Sequence, residues 1–341
     1  MRTYLPIVSL GVMALGCQVT EGPDQRATQI RSGCDGGAAA AVGATPAVEV
    51  DAGGGSTPDG SADVTATPFM PPATWQEHWM DHDQLLKKVS QTDDTAIYFD
   101  ADVDPSSASW IQPFVAALWT YTKQTYGAPG DGRLYAVFHA GRYDGEHDVS
   151  IFDPTHDHRN VIDLGSSDKS FWTMPQQISR IAYCIGDIVE LGPLGYDTLP
   201  SISLTRDQFS YFFAYDALKA VGKSAEADAW LASLMSYSID SPRPGTFWSR
   251  DWFYPLWLGH GGAGVSARFV RLVVQQYPKI ARPTGPGETF ALIMNWGEYV
   301  HFMSGAAGTD LRSIATRAFG WPESNEIEFQ QAKRDFPAIK Y

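Results

Sequence analysis

Cysteine is scarce in this 341-residue chain: Cys17, Cys34 and Cys184 are all it has. Three cysteines cannot form the disulfide framework that holds small secreted domains together, so the fold must rest on a hydrophobic core. Positive charge is also short, with 25 Lys and Arg against 39 Asp and Glu and a formal net charge of −14. Nucleic-acid binding relies on basic side chains that displace counterions from phosphates, and adhesion to anionic lipid headgroups has the same need. No nucleic-acid partner is therefore expected. Large apolar side chains are sparse over residues 18–70. No stretch reaches the roughly 18 consecutive apolar residues of a membrane-spanning helix, and no internal repeat is visible.

What is present begins at the N-terminus. Arg2 supplies a positive start and Leu5 to Leu15 an apolar run too short to cross a bilayer, the pattern of a signal peptide over residues 1–16. The following Ala14-Leu15-Gly16-Cys17 resembles a lipobox, although the leucine usual three places before the cysteine is Ala14 here. This predicts an exported lipoprotein whose only membrane anchor is lipid on Cys17, on the periplasm-facing or outer surface of a cell envelope. Residues 17–70 are rich in Gly, Ala, Pro and Thr. They bury too little apolar area to offset their ordering entropy and read as a flexible tether. Residues 71–341 remain for one globular domain.

Within that domain DTAIYFDA (94–101) and RLYAVFHA (133–140) have strand character, with a helix over 106–126 between them. Two more strands are expected at 147–153 and 159–164, giving β-α-β-β-β. Helical spacing then takes over at 176–191, 206–221, 225–238, 262–277, 288–303 and 309–319, with Gly222, Gly308 and Gly320 at expected helix ends. The predicted class is α+β: a small N-terminal sheet with a crossing helix, followed by a larger helical lobe.

In the helix at 176–191, Ile178, Ile181, Ile185, Ile188 and Val189 make an apolar stripe. A strand ending in Asp163-Leu164-Gly165, read as a sheet edge, precedes it. Several stretches, HDHRNVIDLG, IGDIVE, FAYDALKAVG, RDWFYPLW and NWGEYVHFMSGAAGTDLRSIATRAFGW, together resemble a secreted bacterial family of zincin-like metallopeptidases. In such enzymes two histidines of HExxH bind zinc from one helix face and the glutamate activates water. Gly186 and the Ile188-Val189-Glu190 tail match that pattern. The two histidine positions are Tyr183 and Asp187, and the glutamate position is Cys184. The resemblance therefore implies a zincin-like fold with a degenerate zinc motif, no catalytic residue, and no cofactor. In the next helix only Asp216 among the central residues could supply a third ligand.

Other clusters carry competing readings. His139, His156 and His158, with nearby acids and His147, form either a metal site, in which case zinc is the cofactor, or solvated loop groups with local hydrogen bonds. Glu298 and His301 share one helix face at i and i+3, as metal ligands or as a buried pair. His260 sits in a glycine-rich turn. The eleven tryptophans offer faces for a sugar but fit core packing. The expected function is a lipid-anchored, non-catalytic protein that keeps a peptidase-like cleft for a peptide or glycan. The alternative is an active metalloenzyme with a non-standard metal site. Cys17→Ser tests the anchor: the variant should appear in the soluble fraction or as unprocessed precursor. A processed, membrane-bound variant would refute lipidation there.

Overall fold

Strands β3 (Thr95–Phe99), β4 (Leu134–Phe138) and β6 (Val161–Ser166) are almost wholly buried along both faces, as expected of parallel strands covered on two sides. They run side by side, β3 parallel to β4 and β4 parallel to β6. This computed structural model describes residues 69–173, 177–205 and 207–341. The signal peptide, Cys17, Cys34 and all but the last two residues of the tether lie outside the described residues. Phe69, placed in the tether from the sequence, is buried with its ring 5.5 Å from that of Tyr135.

The architecture is mixed α and β: an N-terminal sheet and a helical lobe. The sheet has six strands in the order β1-β2-β3-β4-β6-β5, more than the small sheet predicted. The additions are β1 (Thr74–Gln76) and β2 (Leu85–Gln91), which pair antiparallel at one edge. Strand β5 (Arg142–Val149) pairs antiparallel with β6 and forms the other edge. The segment ending in Asp163-Leu164-Gly165 is therefore interior, between β4 and β5, which corrects its reading as an edge.

Side chains alternate across the sheet with period two. Ile97, Phe99, Ala136, Phe138, Ile162 and Leu164 enter the main core with the helices. Ala96, Tyr98, Val137 and Val161 face the other way, under Trp75, Trp79 and Leu86 of the β1–β2 segment. That segment is a strap across the second face. Helix α1 (Ala108–Tyr126) crosses the first face, burying Ile111, Phe114, Val115, Leu118 and Trp119 at helical spacing. Pro113 lies on its exposed side.

The lobe contains α2 (Ile178–Leu191), α3 (Gln208–Ala220), α4 (Ser224–Ser236), α5 (Ala263–Gln276), α6 (Trp296–Ala307), α7 (Arg312–Phe319) and α8 (Glu323–Asp335). The helix predicted over 288–303 splits. Glu288–Phe290 is a strand paired with Lys279–Ala281, and α6 begins after Asn295, which makes a reciprocal capping box with Glu298. No helix among the described residues is long and apolar enough to cross a membrane.

Helices α2 and α3 touch closely at Gly186, where a Cβ would lie 2.9 Å from Phe213 Cδ1 and 3.0 Å from Ser210 Cα. Polar groups are buried beside this contact. Glu190 accepts hydrogen bonds from Thr205 Oγ1 at 3.0 Å and Ser210 Oγ at 3.1 Å. Burial, with the nearby charge of Asp187, pushes its carboxyl up to about 8. Because the folded value lies above the ordinary 4.5 of a glutamate, the folded state holds this proton more tightly than the unfolded chain. The resulting stability is fully present below the unfolded value and is lost as pH rises from there through about 8. Glu190→Gln, neutral at every pH, should therefore gain on wild type in urea unfolding as pH goes from 5 to 8. Parallel pH profiles for the two proteins would contradict a protonated Glu190.

Candidate metal centre

The strap brings two polar side chains beneath the sheet. Glu77 follows β1 and His82 lies in the turn before β2. The pairing of β1 and β2 extends past the strands, with Glu77 N donating to Gln84 O at 3.0 Å and Gln84 N donating to Glu77 Oε2 at 2.9 Å. His82 N donates to Trp79 O at 2.9 Å, closing the turn. Trp79 is buried in it, and its Nε1 donates to Asp163 Oδ2 at 2.9 Å.

From the sheet come His139, just past β4, and Asp163, within β6. Both follow the parity of Val137 and Val161 and so face the strap. Asp100, just past β3, falls on the same side and is also buried. These positions sit at or near the carboxyl ends of the parallel strands, where open α/β sheets place their ligands.

Donor atoms of four residues converge. His139 Nε2 lies 3.0 Å from Glu77 Oε1 and 3.0 Å from Asp163 Oδ1. His82 Nδ1 lies 3.0 Å from Asp163 Oδ2 and 3.5 Å from Glu77 Oε1. One ligand atom from each of the four residues can be chosen so that all lie within 4.8 Å of one another, and among the described residues no other group of three or more His, Cys, Asp and Glu does this. Glu77 Oε1, His82 Nδ1, His139 Nε2 and Asp163 Oδ1 are buried and in no hydrogen bond. The imidazole nitrogens stand 3.0–3.5 Å from carboxylate oxygens, within ion-pair distance but off the line of a directed hydrogen bond. That is the arrangement of ligands around a common centre. Tetrahedral zinc with bonds of about 2.0–2.1 Å has ligand–ligand edges of about 3.3 Å, and the separations of His139 Nε2 from Glu77 Oε1 and Asp163 Oδ1 and of His82 Nδ1 from Glu77 Oε1, 3.0–3.5 Å, are close to that.

The electrostatics ask for positive charge. Burial alone would lower His139 and His82, but the surrounding carboxylates outweigh it. Asp100, Asp163 and Glu77 raise His139 to about 11, and Asp163 and Glu77 raise His82 to about 9. Against the burial that would raise it, Asp163 is held far below the usual carboxylate range by His139 and His82, and Glu77 is lowered by the same two groups. Three buried carboxylates meet one nearby guanidinium, Arg142, whose Nε is 3.6 Å from Asp100 Oδ2. One divalent cation with neutral imidazoles balances the remaining charge, as two imidazolium protons also would.

The predicted site residues fall as follows. Of His139, His156 and His158, only His139 belongs to the cluster. It and His156 are fully buried rather than solvated loop groups, because the strap covers them. His156 packs against Trp79 in a tilted pair with ring centroids 4.3 Å apart, and exposed His158 bonds Ile151 O through Nδ1 at 3.1 Å. Tyr183 and Asp187 do share a face of α2, which packs on α3. Tyr183 stacks on Tyr211 at 4.8 Å, and Cys184 is buried and free. Asp216 accepts hydrogen bonds from Tyr121 and from Trp257 Nε1 at 2.6 Å. Glu298 bonds Tyr277 OH while His301 bonds Tyr341 OH, so the two do not converge.

The sequence reading missed Glu77 and His82 altogether and did not nominate Asp163. A signal existed for the two sheet ligands: AVFH and VID each set one titratable residue at or beside an otherwise apolar strand. The comparisons add nothing to this site, since neither protein-family models nor curated proteins match the chain.

Proposed function

We propose that this chain is a zinc protein in which Glu77, His82, His139 and Asp163 bind one divalent ion, and that the ion fastens the strap to the sheet. The observation that carries this reading is the convergence of four residues that each bring a buried donor atom without a hydrogen bond. Two imidazoles and two carboxylates suit a first-row divalent ion, and imidazole favours zinc over magnesium or calcium. Four protein ligands close the coordination sphere, the pattern of structural rather than catalytic zinc. Water activation needs an open position, so the role is non-catalytic.

Export and lipid anchoring through Cys17 belong to the same reading and rest on the N-terminal pattern. Zincin-like descent rests on the match around Gly186 and the Ile188-Val189-Glu190 tail. In this picture the ion secures the strap, the first described segment after the tether, against the domain.

Elemental analysis of the purified protein should find about one zinc per chain. His82→Ala with His139→Ala should remove it, while His156→Ala with His158→Ala should retain it. An ion that binds only the folded state at about 1,000 times its Kd adds about 4 kcal/mol. For a domain of this size a chelator should then lower Tm by on the order of 10 °C. Zinc at background, with Tm insensitive to chelator and to added zinc, would refute the centre. Chelator-sensitive cleavage of a peptide library by the loaded protein would instead make the site catalytic.

A further inference from the structure

Resting on the metal-centre reading, we infer that Tyr143 latches the turn that carries His82 and thereby sets how fast the ion is exchanged. The ligands differ in access. The side chains of Glu77 and His139 are 0% exposed and that of Asp163 is 1%, whereas His82 reaches 9%. His82 stands in a turn with Met80, Asp81 and Asp83 exposed on either side, and two acids there favour an approaching cation. An ion reaching or leaving the buried donors passes by displacement of this turn.

Tyr143 comes from the far edge strand, β5, and covers that route. Its ring stacks on His82 with centroids 3.7 Å apart and planes at 17°, and stands edge-on to His139 at 5.0 Å. Its hydroxyl accepts from Asp83 N and from Gln84 Nε2, each at 3.3 Å, and donates to Asp83 Oδ1 at 3.2 Å. One side chain thus covers the accessible ligand and ties down the two residues after it. The backbone is arranged for this. Tyr143 has φ of 53° at an irregularity in the β5–β6 pairing, a conformation that non-glycine residues hold only where the surroundings enforce it. Its carbonyl occupies the space left by Gly165, where a Cβ would lie 1.8 Å from Tyr143 O.

Tyr143 donates no ligand atom to the centre. Loosening it should speed passage in both directions and leave the equilibrium affinity nearly unchanged. A residue that merely positioned His82 would change Kd and the dissociation rate together. The test uses the full chain, zinc and a competing chromophoric chelator in stopped flow. Tyr143→Phe keeps the stacked ring and removes the hydroxyl; Gln84→Ala removes a side-chain contact of that hydroxyl without changing the charge of the turn. Both should take up one zinc per chain, with association and dissociation each at least fivefold faster and Kd within twofold of wild type. Exchange at the wild-type rate in both variants, or faster release matched by an equal loss of affinity, overturns the latch and leaves the metal centre standing. Failure of the wild type to take up zinc overturns both.

Discussion

Three carboxylates lie buried under an aromatic strap, and the strap face of the sheet depends on how their charge is met. Glu77, Asp100 and Asp163 are 2–4% exposed, and an isolated buried carboxylate costs far more than one hydrogen bond returns. They come from three separate elements: the strap, the end of β3 and the middle of β6. Without positive charge among them their repulsion would push the strap outward. With it, the same charges draw the strap inward and let Trp75 and Trp79 cover Tyr98, Val137 and Val161. Apolar burial and ion pairing are thus coupled, because each brings together the groups that the other needs.

The two sides of the domain meet buried acidity differently. Under the strap, imidazoles raised by their neighbours and a nearby guanidinium collect positive charge around the acids. Beside α2, protons do the work: burial pushes Asp148, Asp187 and Glu190 upward, and Glu190 rests against hydroxyl groups rather than cations. Below about pH 7 the α2 environment therefore favours the neutral form of these carboxyl groups, which is a poor metal ligand. The strap environment holds Glu77 and Asp163 ionised, as metal binding requires, and holds His139 and His82 protonated, so an ion entering there displaces protons from the imidazoles. This contrast separates the two places where the sequence raised the question of zinc, independently of any resemblance at α2.

Elements governed by one strong period were legible. The stripe of α1, the almost wholly buried β3 and β4, and the glycines after α3, α6 and α7 follow from spacing and backbone freedom alone. The strap did not. Its first strand has three residues, and β2, LLKKVSQ, alternates only weakly between buried and exposed. A segment of that composition becomes a strand by pairing with β3, a long-range contact that no local pattern announces. The metal centre was hidden for the same reason. His139 was visible as a candidate, but its partners are 62 residues earlier in the strap and 24 later in β6, and proximity in sequence instead suggested His156 and His158. Helix α8 was missed because only Asn325, Phe329 and Ala332 are buried along a mostly charged segment.

The centre also carries its own means of orienting a ligand. His139 Nδ1 lies 3.2 Å from Asp100 Oδ2, so that once an ion displaces the Nε2 proton the one left on Nδ1 is shared with that carboxylate. Asp100 is itself fixed, accepting from Asp102 N at 2.8 Å and Val103 N at 3.1 Å. The His139 backbone is held from two sides, its N–H donating to Leu164 O and its carbonyl accepting from Trp172 Nε1, each at 2.8 Å. A carboxylate behind a histidine selects its tautomer and raises its basicity toward a metal. The sheet half of the site is therefore rigid, while the strap half, Glu77 and His82, sits on a turn secured by side-chain contacts. An ion joining a preset half to a movable half acts as a fastener, and the movable half is the one that Tyr143 covers.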